Sequence, residues 1–130
     1  MAEHPNVQLL RDGYAAFSRG DIAEATKDWS DDIVWHIGGR SPLAGDYKGQ
    51  EEVTGFFGKI FEMSEGNFEI EVHDILANDE HAVVLCHERA RRNDKVLDAD
   101  STHVYHLKDG KVTEYWGVAT DQRAEDEFWS

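Results

Sequence analysis

The chain has a single cysteine, Cys86, among 130 residues. No disulfide framework can form within it, and the class of small disulfide-stapled domains is excluded. Positive charge is also scarce. Thirteen basic residues face 27 acidic ones, for a formal net charge of −14, so the chain repels phosphate backbones and nucleic acid is not expected as a partner. No apolar run approaches the length needed to span a bilayer, and the N-terminal residues lack the apolar core of a signal peptide. No membrane partner and a cytoplasmic location are therefore expected. Repeats, low-complexity segments and linkers are missing too, so residues 1–130 read as one domain. Residues 38–49 are glycine-rich but lack the spacing of a phosphate-binding loop. Neither HxH nor HExxH occurs, so no metal site and no cofactor are expected.

What is present is a hydrophobic fraction of 40% laid out in clear periods. Val7, Leu10, Tyr14 and Phe17 recur at helical spacing after Pro5, which suits a first turn. Asp21 caps a second helix, with Glu24 as its capping-box partner. A short strand over 33–37 places Ile33, Trp35 and Ile37 on one face and Val34 and His36 on the other. The irregular stretch 38–49 has the length of a lid or rim. Val53, Phe56, Phe57, Ile60 and Phe61 then give the stripe of a third helix over 50–64. A strand over 68–77 leads into three more, 81–92, 96–108 and 111–119, broken at 93–95 and at Asp109-Gly110, a strong hairpin signal. The last ten residues are acidic but end in Phe128-Trp129, a pair that gains by docking on apolar surface. Three helices in the first half followed by a long meander predict an α+β domain, a cone-shaped, curved antiparallel sheet wrapped around the helices.

This order, with Tyr14-Ala15-Ala16-Phe17-Ser18-Arg19-Gly20-Asp21, Asp31-Asp32-Ile33-Val34-Trp35 and Asp109-Gly110-Lys111-Val112-Thr113-Glu114-Tyr115-Trp116, resembles the nuclear transport factor 2-like superfamily. Its SnoaL-like and ketosteroid-isomerase-like members are the most similar. The resemblance covers nearly the whole chain. It implies a conical ligand cavity but no single reaction, because one fold of this kind hosts many activities. The three isomerase positions carried over onto this chain fall at Gly13, Ile37 and His103, and none keeps the isomerase residue. Asp121 follows Glu114-Tyr115-Trp116 one residue later than the SnoaL-like cyclase pattern places its aspartate.

The isomerase-like alignment turns Val83, Leu85, His87 and Arg89 inward, together with Ser101, His103, Tyr105 and Leu107. A three-residue turn over 93–95 agrees, since it sets His87 opposite Ser101 and diagonal to His103. On the last strand, a two-residue Asp109-Gly110 turn sets His103 opposite Trp116, and a three-residue turn sets it opposite Tyr115. The apolar set Val112, Trp116 and Val118 favours Trp116. The expected catalytic residues are His103 as general acid or base, His87 as its partner, and Arg89 as holder of a carboxylate or enolate oxygen. The expected ligand contacts are Tyr14, Trp35, Phe57, Phe61, Tyr105, Trp116 and Asp121. Cys86, on the face opposite His87, does not suit a nucleophile. The function anticipated is binding of a small apolar or aromatic, oxygenated molecule, with isomerisation, cyclisation or (de)hydration by proton transfer. The alternatives are a non-catalytic binding module and a structural dimer with a filled cone. A homodimer through the outer face of the sheet is expected.

Overall fold

The computed structural model describes residues 3–130. Helix α1 (Pro5–Ser18) begins at Pro5, with His4 as its cap: the ring Nδ1 accepts from the Asn6 amide at 3.1 Å. The single turn α2 (Ile22–Ala25) is capped by Asp21, which accepts from the Glu24 amide. There follow β1 (Trp29–Ile37), β2 (Gly45–Lys48), α3 (Gly49–Met63), β3 (Glu69–Ala77), β4 (His81–Arg92), β5 (Lys95–Lys108), β6 (Lys111–Ala119) and α4 (Gln122–Trp129). The strands make one sheet in the order β2-β1-β6-β5-β4-β3. This is the anticipated α+β architecture, with one correction. The sheet is mixed, because β1 runs parallel to β6 while every other pair is antiparallel. The stretch 38–49 contains β2, and the acidic tail folds as α4. None of the helices among the described residues is long and apolar enough to cross a membrane.

The core lies between α3 and the concave face of the sheet. Val53, Phe56, Phe57 and Ile60 are the buried stripe of α3. Phe57 meets Trp29, Trp35 and Phe17 edge-on at ring separations of 5.2–5.8 Å. Ile33, Val84, Leu97 and Val112 close the sheet side. Each such side chain contributes about 1.5–3 kcal/mol by leaving water.

Two local features decide which side chains face that core. Arg92 pairs directly with Lys95, so the β4–β5 turn has two residues, Asn93 and Asp94, rather than three. Asn93 takes the left-handed conformation (φ 59°) that a tight turn needs and asparagine tolerates. Side chains alternate with period two, so one residue of register turns a whole strand over. Cys86 therefore lies opposite Ser101 and Val84 opposite His103. Ala82, Val84, Cys86, Glu88 and Ala90 are buried, and the set containing His87 and Arg89 faces outward. At the other hairpin, Asp109 (φ 52°) and Gly110 (φ 76°) make a two-residue turn. A bulge at Thr113 then shifts the ladder between His106 and Leu107. His103 consequently lies opposite Gly117, and Tyr105 opposite Tyr115. Tyr115 is buried on the concave face. Trp116 is on the outer face, stacked on His36 and edge-on to His106.

Candidate active site

The cone encloses a cavity of about 150 Å³. Its wall is mostly aromatic and aliphatic: Trp29, Trp35, Phe56, Phe57, Leu43 and Ile60. Its polar groups include Tyr14 from α1, Glu88 from β4, Ser101, His103 and Tyr105 from β5, Tyr115 from β6, and Gln122, Glu125 and Asp126 from α4, with Glu24, Lys27, Asp28 and Ser41 also in the lining. An apolar chamber with a few converging polar groups is the usual form of a small-molecule site.

His103 is the centre of the polar end and only 4% exposed. Its Nδ1 lies 2.5 Å from the Tyr14 hydroxyl, which lies 2.6 Å from the Tyr105 hydroxyl. Its Nε2 lies 3.3 Å from Glu88 Oε1 and 3.6 Å from Cys86 Sγ. The Glu88 carboxylate can only accept, so Nε2 carries the proton toward it and Nδ1 accepts from Tyr14; this tautomer is assigned from the partners. Burial pushes the Tyr14, Tyr105 and Tyr115 phenols up, so all three are neutral donors. The Tyr115 ring packs over Gly117, where an added Cβ would come within 3.0 Å of its hydroxyl.

Glu88 and Glu125 form a second pair. Glu125 sits on the α4 face that also carries Gln122, Asp126 and Trp129, and it lines the same cavity as Glu88. Its Oε2 accepts from the Trp129 indole at 3.0 Å. Burial first, then the Glu88 charge, pushes its carboxyl up to about 8. Burial opposes ionisation of Glu88 as well, but bonding to His103, Glu125 and Ser101 holds it below the usual range. The pair therefore shares one proton at neutral pH, held on Glu125. Cys86, Glu88 and His103 each bring one potential donor atom within 4.8 Å of the others. Burial pushes the Cys86 thiol up to about 12, and it donates to the Ser101 carbonyl at 3.4 Å. The trio is thus a hydrogen-bonded cluster around a neutral thiol.

Of the residues expected from sequence, His103, Tyr14, Trp35, Phe57 and Tyr105 line the cavity. His87 and Arg89 do not. The two-residue turn puts them on the outer face, where His87 bonds Asp98 and Asp100 and Arg89 bonds Glu71. Trp116 is outside for the reason given by the Thr113 bulge, and Tyr115 takes its place. Phe61 is outside the lining and packs on Phe17 at 5.3 Å. Asp121 caps α4 by accepting from the Ala124 amide. Sequence reasoning missed Glu88 and Glu125, and had Tyr115 only as the alternative to Trp116. Glu88 left a trace, as the one charge in the otherwise apolar alternation Ala82, Val84, Cys86, Glu88, Ala90. Glu125 left one in its spacing from Gln122 and Trp129 along a helix.

Residues 10–115 match the model of the SnoaL-like domain family. An uncharacterized protein of Mycobacterium tuberculosis is 29% identical over the full length of both chains. Among solved structures, Bal32a from a soil-derived mobile gene cassette is 33% identical, with a TM-score of 0.92 over 96% of each chain. TerC, crystallised with polyporic acid, shares the fold at 20% identity, with a TM-score of 0.83 over 96% of this chain and 98% of its own. The curved mixed sheet, the enclosed cavity and the family match agree: the chain belongs to the SnoaL-like family, within the nuclear transport factor 2-like superfamily.

Proposed function

We propose that this protein binds a small, largely apolar, oxygenated molecule in its cavity and moves a proton on it. The observation that carries this reading is the imidazole of His103, held between a carboxylate and a phenol in the wall of an apolar chamber. Glu88 accepts the hydrogen bond from Nε2–H, which fixes the proton there and leaves Nδ1 basic. A proton leaving the occupant passes to the Tyr14 oxygen as the Tyr14 proton moves to Nδ1. The imidazolium so formed lies against the Glu88 carboxylate, which stabilises it. Tyr105 is the second donor for an oxygen of the occupant. The role anticipated for His87 passes to Glu88, and an enolate oxygen is met by phenols rather than by Arg89. That TerC, which shares this fold, was co-crystallised with polyporic acid supports a ligand-binding role.

Acetophenone is a suitable probe, being apolar, oxygenated and enolisable. Deuterium exchange into its methyl group in heavy water, followed by NMR, should exceed the buffer rate with wild type. His103→Ala should abolish the excess while acetophenone still binds. Binding without any enhanced exchange would leave a non-catalytic binding module, the second reading anticipated from sequence.

We further propose that the outer face of the sheet pairs with a second copy of the chain. Val118 is 51% exposed there, beside Trp116, on a face that no helix covers.

A further inference from the structure

We propose that Cys86, Glu88 and His103 form a binding site for a divalent ion of the zinc class. This goes beyond the proton-transfer reading and bears on it, because an ion at His103 takes the Nε2 position that the proton facing Glu88 otherwise holds.

Strand geometry assembles the three donors. Cys86 and Glu88 alternate along β4, so both point to the concave face. His103 comes from the neighbouring strand β5, where it lies opposite Val84 and reaches both side chains. All three are buried. Among the described residues this is the one group of three such side chains whose donor atoms lie within 4.8 Å of one another. The separations suit an ion. Nε2 lies 3.6 Å from Cys86 Sγ and 3.3 Å from Glu88 Oε1. Zinc bonds to sulfur, nitrogen and oxygen at tetrahedral angles put the donors about 3.4–3.6 Å apart. The approach of Sγ to Nε2 has no proton of its own, since the thiol donates to the Ser101 carbonyl and Nε2 donates to Glu88. A shared ion accounts for it.

The chemistry of the donors selects the ion. A thiolate and a carboxylate bring two negative charges and the imidazole none, so a divalent cation leaves the site neutral. A coordinating thiol gives up its proton to the metal outright. Sulfur and imidazole together favour zinc over magnesium or calcium. The outer support of such a site is in place. His103 Nδ1 lies 2.5 Å from the Tyr14 hydroxyl, the kind of partner that fixes the ring of a ligating histidine. Glu88 and His103 line the cavity and Cys86 does not. The sulfur thus closes the site from behind, and a fourth position faces the chamber, open to water or to an oxygen of the occupant. With an ion on Nε2 the imidazole proton sits on Nδ1 and is donated to Tyr14. Nδ1 is then no longer basic, so the loaded protein cannot move a proton through His103.

Cobalt(II), a spectroscopic stand-in for zinc, tests this. Added to chelator-treated wild-type protein, it should give the visible bands of a four-coordinate ion and a near-ultraviolet thiolate-to-cobalt charge-transfer band, both saturating at one ion per chain. Zinc should displace it, being the tighter binder of the two. Cys86 is the only cysteine in the chain, so the charge-transfer band can come from no other residue, and this wild-type result stands even where variants fold poorly. Cys86→Ser should abolish the band. Glu88→Gln should weaken cobalt binding by more than the roughly 10–100-fold that loss of an outer-shell partner costs. Cobalt taken up without the charge-transfer band is held by surface histidines and carboxylates and overturns the inference, as does no uptake at all. Acetophenone exchange keeps the two readings apart. Exchange by chelator-treated protein with no thiolate band leaves proton transfer standing and this site refuted. A thiolate band without exchange in the chelator-treated protein does the reverse. Where both hold, one equivalent of zinc should abolish the exchange, and exchange unaffected by bound zinc would overturn the placement of the ion on His103.

Discussion

Replacing Glu125 by glutamine tests the central electrostatic claim, that two carboxyls share one proton inside the cone. In the folded chain Glu125 keeps its proton up to about 8, against 4.5 for an unhindered glutamic acid. The folded state therefore binds more protons than the unfolded state across that window. Stability must fall as pH rises through it, being fully present below the unfolded value and lost above the folded one. From about pH 6 to about pH 9 the loss from this group is about 2–3 kcal/mol. Glu88 contributes with the opposite sign, but its carboxylate is already formed over this range. Glutamine keeps a donor for Glu88 and an acceptor for the Trp129 indole, and it cannot ionise. Urea unfolding of wild type and Glu125→Gln at several pH values gives the comparison. The outer-face histidines, whose raised affinity for protons also costs stability as pH rises, act equally in both chains and cancel in the difference. Wild type should lose stability toward pH 9 relative to the variant, and the variant should be the more stable of the two there. Parallel profiles would refute the shared proton.

Tyr14→Phe removes the hydroxyl that serves both His103 and Tyr105. It should cost about 1–3 kcal/mol in chemical unfolding, because two buried polar groups lose a partner. Light scattering at micromolar concentration should give twice the chain mass for wild type, and Val118→Asp should give a monomer; a wild-type monomer would argue against the outer-face interface. Deleting residues 126–130 removes Phe128 and Trp129, 3% and 6% exposed, together with the α4 carbonyls held by Arg92 and Lys95. The melting temperature should drop and the cavity should open to a fluorescent apolar probe, whereas an unchanged melting curve would mean α4 contributes no stability.

The sequence alone determined most element types and their order, the strand β2 inside 38–49 excepted, because these depend on residues near one another in the chain. The stripe of α3, the first-turn Pro5, the capping residue Asp21, the alternation along β4 to β6 and the docking pair Phe128-Trp129 all carry their structural meaning locally. Alternation also determined which residues travel together, Cys86 with Glu88 and His87 with Arg89. Which set faces the core was decided by the tertiary structure. Arg92 closes directly on Lys95, and the bulge at Thr113 moves Tyr115 in and Trp116 out. Each is a change of a single residue in register, and the pleat turns it into an exchange of faces. Turn length between two strong strand formers is set by how the whole ladder packs, so both turns at 93–95 were compatible with the local residues. His103 was legible because its strand is buried in that register and both its neighbours of the same parity, Ser101 and Tyr105, point the same way. Glu125 was not legible as a site residue. It lies 37 positions from Glu88 along the chain, and only the folding of α4, with Trp129 buried as its anchor, brings both carboxyls to the wall of one cavity, where burial and the Glu88 charge keep a proton on Glu125.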